Sequence, residues 1–169
     1  MAAMQIRPWQ NDESEARVCA EMMAASDPWR KLGRGVEQSM LFLTDGTKEI
    51  HLATEGEEIL GFIVLNMRGA FAGYVQTICV AASARDRGVG SQLMRFAEDR
   101  IFRDVPNVFL CVSSFNEAAQ RLYERLGYEK VGVLRDYIVR GYDEIFMPKA
   151  LVPAREFRPA NFIRGAGRV

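Results

Sequence analysis

Between Tyr74 and Ser113 the sequence predicts a strand, a glycine-bearing loop, a helix and a second strand in immediate succession. Residues 74–82 are rich in β-branched and aromatic side chains and become apolar on both faces, which is typical of a strand in the middle of a sheet. A helical pattern begins at Gly88, and a second buried strand covers residues 107–113. Glycine destabilises helices, so the two glycines at this helix start, Gly88 and Gly90, require a reason.

The rest of the chain surrounds this unit with helices and hairpins. Before it, the pattern predicts a short strand, two helices and a hairpin; after it, one helix and a final hairpin. Asn11 or Asp12 is expected to cap the first helix, and Ser114 with Glu117 to form a capping box at the last one. This order is typical of an α/β (α+β) three-layer domain, with a mixed sheet and helices on both faces.

Composition narrows the class of partner. The 169 residues suffice for one domain, and 22 Lys and Arg balance 22 Asp and Glu, so the net charge is zero. This balance argues against nucleic acid or an anionic membrane as a partner. The three cysteines are far apart in apolar surroundings, which favours buried thiols and no metal site. The one histidine, His51, is expected on the solvent face of a strand. The N-terminal residues lack a basic segment followed by a long apolar run, which favours a cytoplasmic protein.

The loop before the third helix has the chemistry of an anion site. The first turn of a helix offers free N–H groups and a favourable dipole, and nearby arginines add positive charge. A Walker loop needs a lysine after its second glycine, and a dinucleotide motif needs a third glycine; the sequence has neither. Spacing alone leaves a tight turn without a ligand as the alternative. The candidate residues are Arg85, Asp86, Arg87, Gly88, Val89, Gly90 and Ser91.

The whole segment VAASARDRGVGSQLMRFAE resembles the acyl-CoA-binding signature of the GNAT superfamily of acyl-CoA-dependent N-acyltransferases. That signature is an Arg or Gln, two residues, a Gly, one residue and a Gly or Ala, between a strand and a helix. A second landmark follows in SSFNEAAQRLYERLGY, where an asparagine opens a helix and a tyrosine lies two turns later. The resemblance covers roughly residues 4–150. It implies a GNAT-like mixed, mostly antiparallel sheet splayed between its central strands, and acetyl-CoA as the co-substrate for N-acetylation of a primary amine.

The resemblance also implies roles for individual residues. The loop residues listed above would hold the pyrophosphate of coenzyme A, and the backbone of Ile78, Cys79 and Val80 would pair with the pantetheine amides. Asn116 would hydrogen-bond the pantetheine, and Tyr123, two turns further along the helix, would protonate the departing thiolate. The amine of a small metabolite or of a peptide or protein would attack directly, through a tetrahedral intermediate.

The general base stays open on these grounds. Many relatives place a glutamate on one of the two splayed strands, where this chain has Tyr74, Gln76 and Cys111. A water chain oriented by Tyr74, Gln76 or Ser113 is one alternative. Cys111 as a nucleophile is less favoured than inert packing, because no histidine neighbours it in the sequence. The missing glutamate also keeps a non-catalytic acyl-CoA sensor as an alternative to an enzyme.

The acceptor amine is expected between residues 26–44 and the final hairpin. Trp29, Tyr74, Gln76 and Tyr137 are the candidates for its pocket, although Trp29 fits a place in the core equally well. A tRNA-acetylating toxin would need a basic surface, and the zero net charge argues against one.

Residues 1–150 are expected to form the acetyltransferase-like domain, and residues 151–169 a basic tail. The prolines, glycines and arginines of the tail are typical of a disordered extension. Phe157, Phe162 and Ile163 are its candidate anchors, either on its own domain or on a second subunit. Because the domain is expected to be complete by Ala150, we favour a homodimer.

Overall fold

The computed structural model describes residues 3–160. Within them the chain forms a seven-stranded sheet and four α-helices, in the order that the sequence predicts. In chain order the elements are β1 (Gln5–Pro8), α1 (Glu13–Ala24), α2 (Val36–Leu43), β2 (Glu49–Glu55), β3 (Glu58–Asn66), β4 (Tyr74–Val80), a 3-10 turn (Ala82–Ala84), α3 (Val89–Ile101), β5 (Asn107–Ser113), α4 (Glu117–Arg125), β6 (Gly132–Val139) and β7 (Tyr142–Ala150). The predicted α/β (α+β) class is confirmed.

The sheet is mixed and is splayed in its middle. Its strand order is β1-β2-β3-β4-β5-β7-β6, with β4 and β5 parallel and the other neighbouring strands of the described residues antiparallel. The β4–β5 ladder holds two residue pairs, Tyr74 with Phe109 and Val75 with Leu110. Beyond these pairs the two strands separate, as the resemblance implies.

Gly73, just before β4, lets the two central strands touch at their start. Its φ is +89°, and a Cβ at this position would lie 2.5 Å from the carbonyl oxygen of Asn107. Only glycine fits such a backbone angle and such a close approach without strain.

An extra residue in β4 accompanies the separation. The register between β3 and β4 passes from Val64–Thr77 to Leu65–Val75, so Gln76 has no partner of its own and forms a bulge. A bulge bends its strand and increases the local twist. The bend at Gln76 begins one residue after the last β4–β5 pair, where the gap opens.

Helices cover both faces of this sheet. On one face α3 and α4 pack over a core that includes Leu93, Ile101 and Tyr123. On the other face α1 and α2 pack over a second core, which includes Met23 and Leu43. Side chains of β3 alternate between the two: Phe62 and Val64 belong to the α1–α2 core, Ile63 and Leu65 to the α3–α4 core. The predicted three-layer arrangement is confirmed.

The start of α4 differs from the expected capping box. Asp12 caps α1 as expected, by accepting from the backbone N–H of Glu15. At α4 the N-cap is Asn116, whose Oδ1 accepts from the N–H of Ala119 over 3.2 Å. The Ser114–Glu117 prediction is wrong because the helix begins at Glu117, which leaves Ser114 two residues before the N-cap.

His51 does not lie on the solvent face of its strand. Its side chain is 12% exposed and packs under α3, with its ring centroid 4.6 Å from that of Phe96. The alternation of polar and apolar residues in β2 predicts a solvent-exposed face, but α3 covers that face. Burial lowers the pKa of His51, and the nearby carboxylate of Glu49 opposes this effect.

The first residues of the tail lie against their own domain. The N–H of Leu151 donates to the carbonyl of Pro106 over 2.9 Å, and the N–H of Ala160 to that of Arg103 over 3.0 Å. Phe157 is half-buried. The other two proposed anchors, Phe162 and Ile163, lie outside the described residues. Across residues 3–160, no helix has the length and apolar character needed to cross a membrane.

Candidate active site

The gap between β4 and β5 opens into a cavity of about 820 Å³. Past Val75 and Leu110 the facing edges of the two strands have no strand partner within the described residues. Unpaired backbone edges need hydrogen-bond partners, and an extended ligand can supply them as an added strand would. The cavity runs from this gap, beside α4, to the segment before α2 and to the β6–β7 hairpin.

The loop at the start of α3 has the predicted geometry of an anion site. Gly88 is the N-cap and has a φ of +78°, which lets the chain turn sharply into the helix. Gly90, in the first turn, has room for a side chain: a Cβ there would come no closer than 3.8 Å to Leu122 and Val80. The bare backbone of Gly88 therefore faces open space at the start of the helix, where a phosphate can approach N–H groups.

Two arginines of this loop already have partners. The Arg85 guanidinium donates to Ser26 Oγ over 3.2 Å, and Arg87 forms an ion pair with Glu55 at 2.9 Å. Arg85 has no carboxylate partner among the described residues, whereas Glu55 partly neutralises the charge of Arg87. Asp86, between them, has a φ of +60°. Val89 is buried below the first turn, and Ser91 lies half-buried in it.

The end of β4 presents backbone more than side chains to the gap. Cys79 is buried in the α1–α2 core, and burial raises the pKa of its thiol to about 12. Ile78 and Val80 pack at the edge of the α3–α4 core, and Ile78 also lines the cavity. The N–H and C=O groups of successive strand residues point alternately to the two sides of a strand. Part of this backbone therefore pairs with β3, and the rest faces the gap, where it is available to a ligand.

Tyr123 and Asn116 line the same cavity, as their spacing of two turns predicts. Tyr123 is 5% exposed, with its ring edge-on to Tyr128 at 5.9 Å between centroids. Its hydroxyl has no hydrogen-bond partner among the described residues, and burial raises its pKa, so it holds a proton at neutral pH. The Asn116 Oδ1 is used by the helix cap, which leaves its NH2 group for a ligand.

All four residues predicted for the acceptor line the cavity. Tyr137 is 64% exposed on the hairpin, and Gln76 is the bulge residue of β4. Trp29 fulfils both expectations, because it is 9% exposed within the α1–α2 core and also borders the cavity. The Tyr74 hydroxyl lies beside the Cys111 thiol, and burial raises the pKa of both groups.

The sequence did not reveal a cluster of three phenylalanine rings beside the cavity. Phe109 and Phe146 stack with their centroids 5.9 Å apart, and Phe71 meets both edge-on at 5.2 and 5.9 Å. Phe71 and Phe146 line the cavity. The strand alternation of Phe109 with Cys111 could have placed one ring here, but the β5–β7 register was needed for Phe146.

Sequence reasoning also missed Glu144 of β7. It is 4% exposed and lines the cavity, and Ser113 Oγ donates to its Oε1 over 2.6 Å. Burial raises the pKa of this carboxyl, and the Ser113 hydrogen bond partly offsets that effect. The prediction looked for a carboxylate on β4 and β5 only, and nothing in the sequence shows which β7 residue faces Ser113.

Comparison with known proteins decides which family this architecture belongs to. The sequence profile of the Acetyltransferase (GNAT) family matches residues 4–128. The chain belongs to the GNAT acetyltransferase family. This confirms the resemblance that the two motifs indicated.

Individual relatives of this GNAT protein are distant. N-alpha-acetyltransferase RimI of Mycobacterium tuberculosis is 30% identical over 142 residues, which cover 79% of this chain and 85% of that protein. GCN5-related N-acetyltransferase 6 of Arabidopsis thaliana is 29% identical over 124 residues, 69% of this chain, but the match spans only 43% of that protein. A crystal structure of aminoglycoside 6'-N-acetyltransferase complexed with coenzyme A has a TM-score of 0.70 at 18% identity, covering 92% of this chain and 99% of that one.

The residues present fit the coenzyme that the family implies. The unpaired edges of β4 and β5 match the amides of a pantetheine arm, and the start of α3 matches a pyrophosphate. Tyr123 lines the cavity together with the four acceptor candidates. In residues 3–160, no group of three or more His, Cys, Asp or Glu lies where it could hold a metal ion.

Proposed function

We propose that this GNAT protein transfers the acetyl group of acetyl-CoA to the primary amine of a small metabolite, a peptide or a protein. The observation that carries the proposal is the splayed gap between β4 and β5, with the free hydroxyl of Tyr123 facing the cavity inside it. A relative and a structural neighbour named as N-acetyltransferases support it. The three free cysteines support a reducing, cytoplasmic location.

Bound acetyl-CoA supplies an acetyl thioester, which an amine can attack. The protein binds and orients the two reactants: the start of α3 holds the pyrophosphate, and the backbone of Ile78 to Val80 holds the pantetheine. Tyr123 keeps its proton at neutral pH because it is buried, and it donates that proton at the sulfur. The rim formed by Trp29, Tyr74 and Tyr137 takes the acceptor.

The test is an amine panel with purified protein and acetyl-CoA, in which release of the free thiol is followed. The panel contains a peptide with a free N-terminal alanine, an aminoglycoside, a polyamine and several amino acids. We expect thiol release that depends on one class of amine, with the acetylated product confirmed by mass spectrometry. Binding of acetyl-CoA without acetylation of any amine would contradict the proposal and would support a non-catalytic sensor.

A further inference from the structure

Glu144 is a buried carboxyl group that no basic residue of the described chain neutralises. Its Oε1 accepts from Ser113 Oγ, and its Oε2 has no hydrogen-bond partner among the described residues. No lysine or arginine within residues 3–160 forms an ion pair with it. Burying a carboxylate without a cation destabilises a fold, so this position calls for a use of the charge.

The strand register places this carboxylate beside the opening of the gap. Ser113 lies opposite Glu144 in the β5–β7 ladder, and Cys111 lies opposite Phe146. Because strand side chains alternate, Cys111, Ser113 and Glu144 share the α1–α2 face of the sheet. Cys111 directly follows Leu110, the last β5 residue paired with β4.

Tyr123 approaches the gap from the opposite face, since it belongs to the α3–α4 core. A proton donor for the sulfur and a proton acceptor for the amine therefore lie on opposite sides of the same opening. Aminolysis of a thioester removes protons from the nitrogen and adds one to the sulfur, so two separately placed groups can serve the two atoms.

The other titratable groups facing this part of the cavity are poor bases. They are the phenols of Tyr74 and Tyr137 and the thiol of Cys111. Burial raises the pKa of Tyr74 and of Cys111, so both are protonated at neutral pH. Glu144 is the one carboxylate among the described residues that line the cavity, and a raised pKa makes a carboxylate a stronger base.

We propose that Glu144 is the general base of the acetyl transfer, an inference that rests on the proposed function. The acceptor enters as an ammonium ion, and the Glu144 carboxylate takes one proton from it. The amine nitrogen then forms its bond to the carbonyl carbon, and the carbon–sulfur bond breaks. The second proton lost by the nitrogen replaces the one that Tyr123 gives to the thiolate, and Glu144 returns its proton to solvent. The net products are the amide, the free thiol and one proton.

The test is the pH profile of kcat/KM for Glu144→Gln with the amine that the wild-type protein acetylates best. We expect kcat/KM at pH 7 to fall by about 10²–10⁴. The activity of the variant should then rise with pH, because only the free amine reacts. Its affinity for acetyl-CoA should stay within a few-fold of wild type. Glu129→Gln removes an exposed carboxylate outside the cavity and is the matched control, with an unchanged profile expected.

Ser113→Ala gives a second readout, which does not depend on the Gln variant folding. Ser113 is a positioning residue whose hydrogen bond lowers the pKa of Glu144. Its loss should move the acid limb of the kcat/KM profile to higher pH while keeping most of kcat. If the wild type is active and both variants keep its pH profile of kcat/KM, the assignment of Glu144 as the base is overturned, but the proposed function is not. A wild type that acetylates no amine overturns the proposed function, and the base assignment with it.

Arg34 supplies an independent indication of the acceptor's chemistry. Its guanidinium lies over the ring of Phe42, 5.4 Å from the centroid, and it is half-buried in the lining of the cavity. Within residues 3–160 it has no carboxylate partner. Arg68 also lines the cavity, and Phe71 and Phe146 give the space between strands and hairpin an apolar wall.

From this arrangement we infer that the acceptor carries a carboxylate or another anionic group in addition to its amine, on an apolar body. Arg34 binds the anion, since a guanidinium pairs with a carboxylate through two parallel hydrogen bonds. This inference also rests on the proposed function, but it uses different residues from the base assignment.

Matched pairs of amines test it, such as phenylalanine with 2-phenylethylamine and leucine with 3-methylbutylamine. We expect the wild type to favour the member with the carboxylate by at least about tenfold, which is the effect of one charge-assisted hydrogen bond. Arg34→Met should remove that preference through KM and leave acetyl-CoA binding unchanged. A neutral or cationic best acceptor, or a preference that survives in Arg34→Met, overturns the inference.

Discussion

Val75 and Leu110 form the last backbone pair between β4 and β5, and the gap in which we place the coenzyme opens beyond that pair. Gln76, the next residue of β4, is the bulge that bends the strand, and Cys111, the next residue of β5, lies beside Tyr74. The sheet is thus closed by Gly73 at one end of these strands and open at the other. A ligand that enters the gap completes hydrogen bonds which no strand of the described chain supplies.

Gly90→Val tests the phosphate site. The site has room for a side chain when empty, and valine is no worse than glycine in a helix, so the unliganded protein should keep its melting temperature. With acetyl-CoA at about 100 times its Kd, the wild type should gain about 2.7 kcal/mol, or roughly 5–10 °C. The variant should show almost no gain, because the new side chain occupies the space of the phosphates.

The matched control for that experiment is Gly132→Val. Gly132 has open space where a Cβ would stand, and it lies on β6, away from the start of α3. Its thermal shift with acetyl-CoA should equal that of the wild type. An undiminished shift in Gly90→Val would remove the phosphate assignment.

Tyr123→Phe tests the general acid. The hydroxyl has no partner among the described residues, so its removal leaves no unsatisfied group, and stability should hardly change. We expect kcat to fall by about 10²–10⁴ and the acetyl-CoA affinity to stay within a few-fold. Steady-state kinetics and calorimetric binding measure the two quantities. Full activity in the variant would show that the thiolate leaves without this proton donor.

His51→Gln tests the effect of burial on the chain's one histidine. The pKa of His51 is lowered in the folded protein, so below its ordinary value of 6.5 the unfolded chain binds a proton that the folded chain does not. The contribution of His51 to the free energy of unfolding is therefore at its maximum above pH 6.5. It decreases as the pH falls below 6.5, by up to about 1.4 kcal/mol per pH unit. Denaturant titrations between pH 7 and 5 should show a flatter dependence in the variant. Equal slopes would mean that His51 titrates alike in both states, as the neighbouring Glu49 would favour.

Two truncations test the homodimer that the sequence favours. Ending the chain after Ala160 removes Phe162 and Ile163 but keeps the hydrogen bonds of the tail to Pro106 and Arg103. Ending it after Ala150 removes both. We expect sedimentation to show monomers in both cases, with acetyl-CoA binding retained. Only the longer deletion should lower the free energy of unfolding, by about 1–3 kcal/mol for two hydrogen bonds. An unchanged oligomeric state would contradict the tail as a dimer contact.

The order of elements could be predicted from the sequence, and so could the placing of Asn116 and Tyr123 on one side of a helix, because both depend on local signals. Strand alternation, helix periodicity and the loop glycines each act within about a dozen residues. Gly88, Gly90, Asn116 and Tyr123 belong to two short motifs, and the spacing of seven residues alone directs Asn116 and Tyr123 to the same side of α4. The GNAT resemblance then supplied the role of each motif.

Only the tertiary structure shows the features that depend on the register between strands and on which helices cover each face of the sheet. Glu144 faces Ser113 because β7 pairs antiparallel with β5 in one particular register, and a shift by one residue would have turned it to the other face. His51 is largely covered because α3 packs over a strand face whose sequence pattern predicts exposure. The bulge at Gln76 and the contact of Gly73 with Asn107 likewise need both strands in place. Local sequence determined the helices, the strands and the loop that we propose to bind phosphate, whereas pairing between distant strands determined where Glu144 lies.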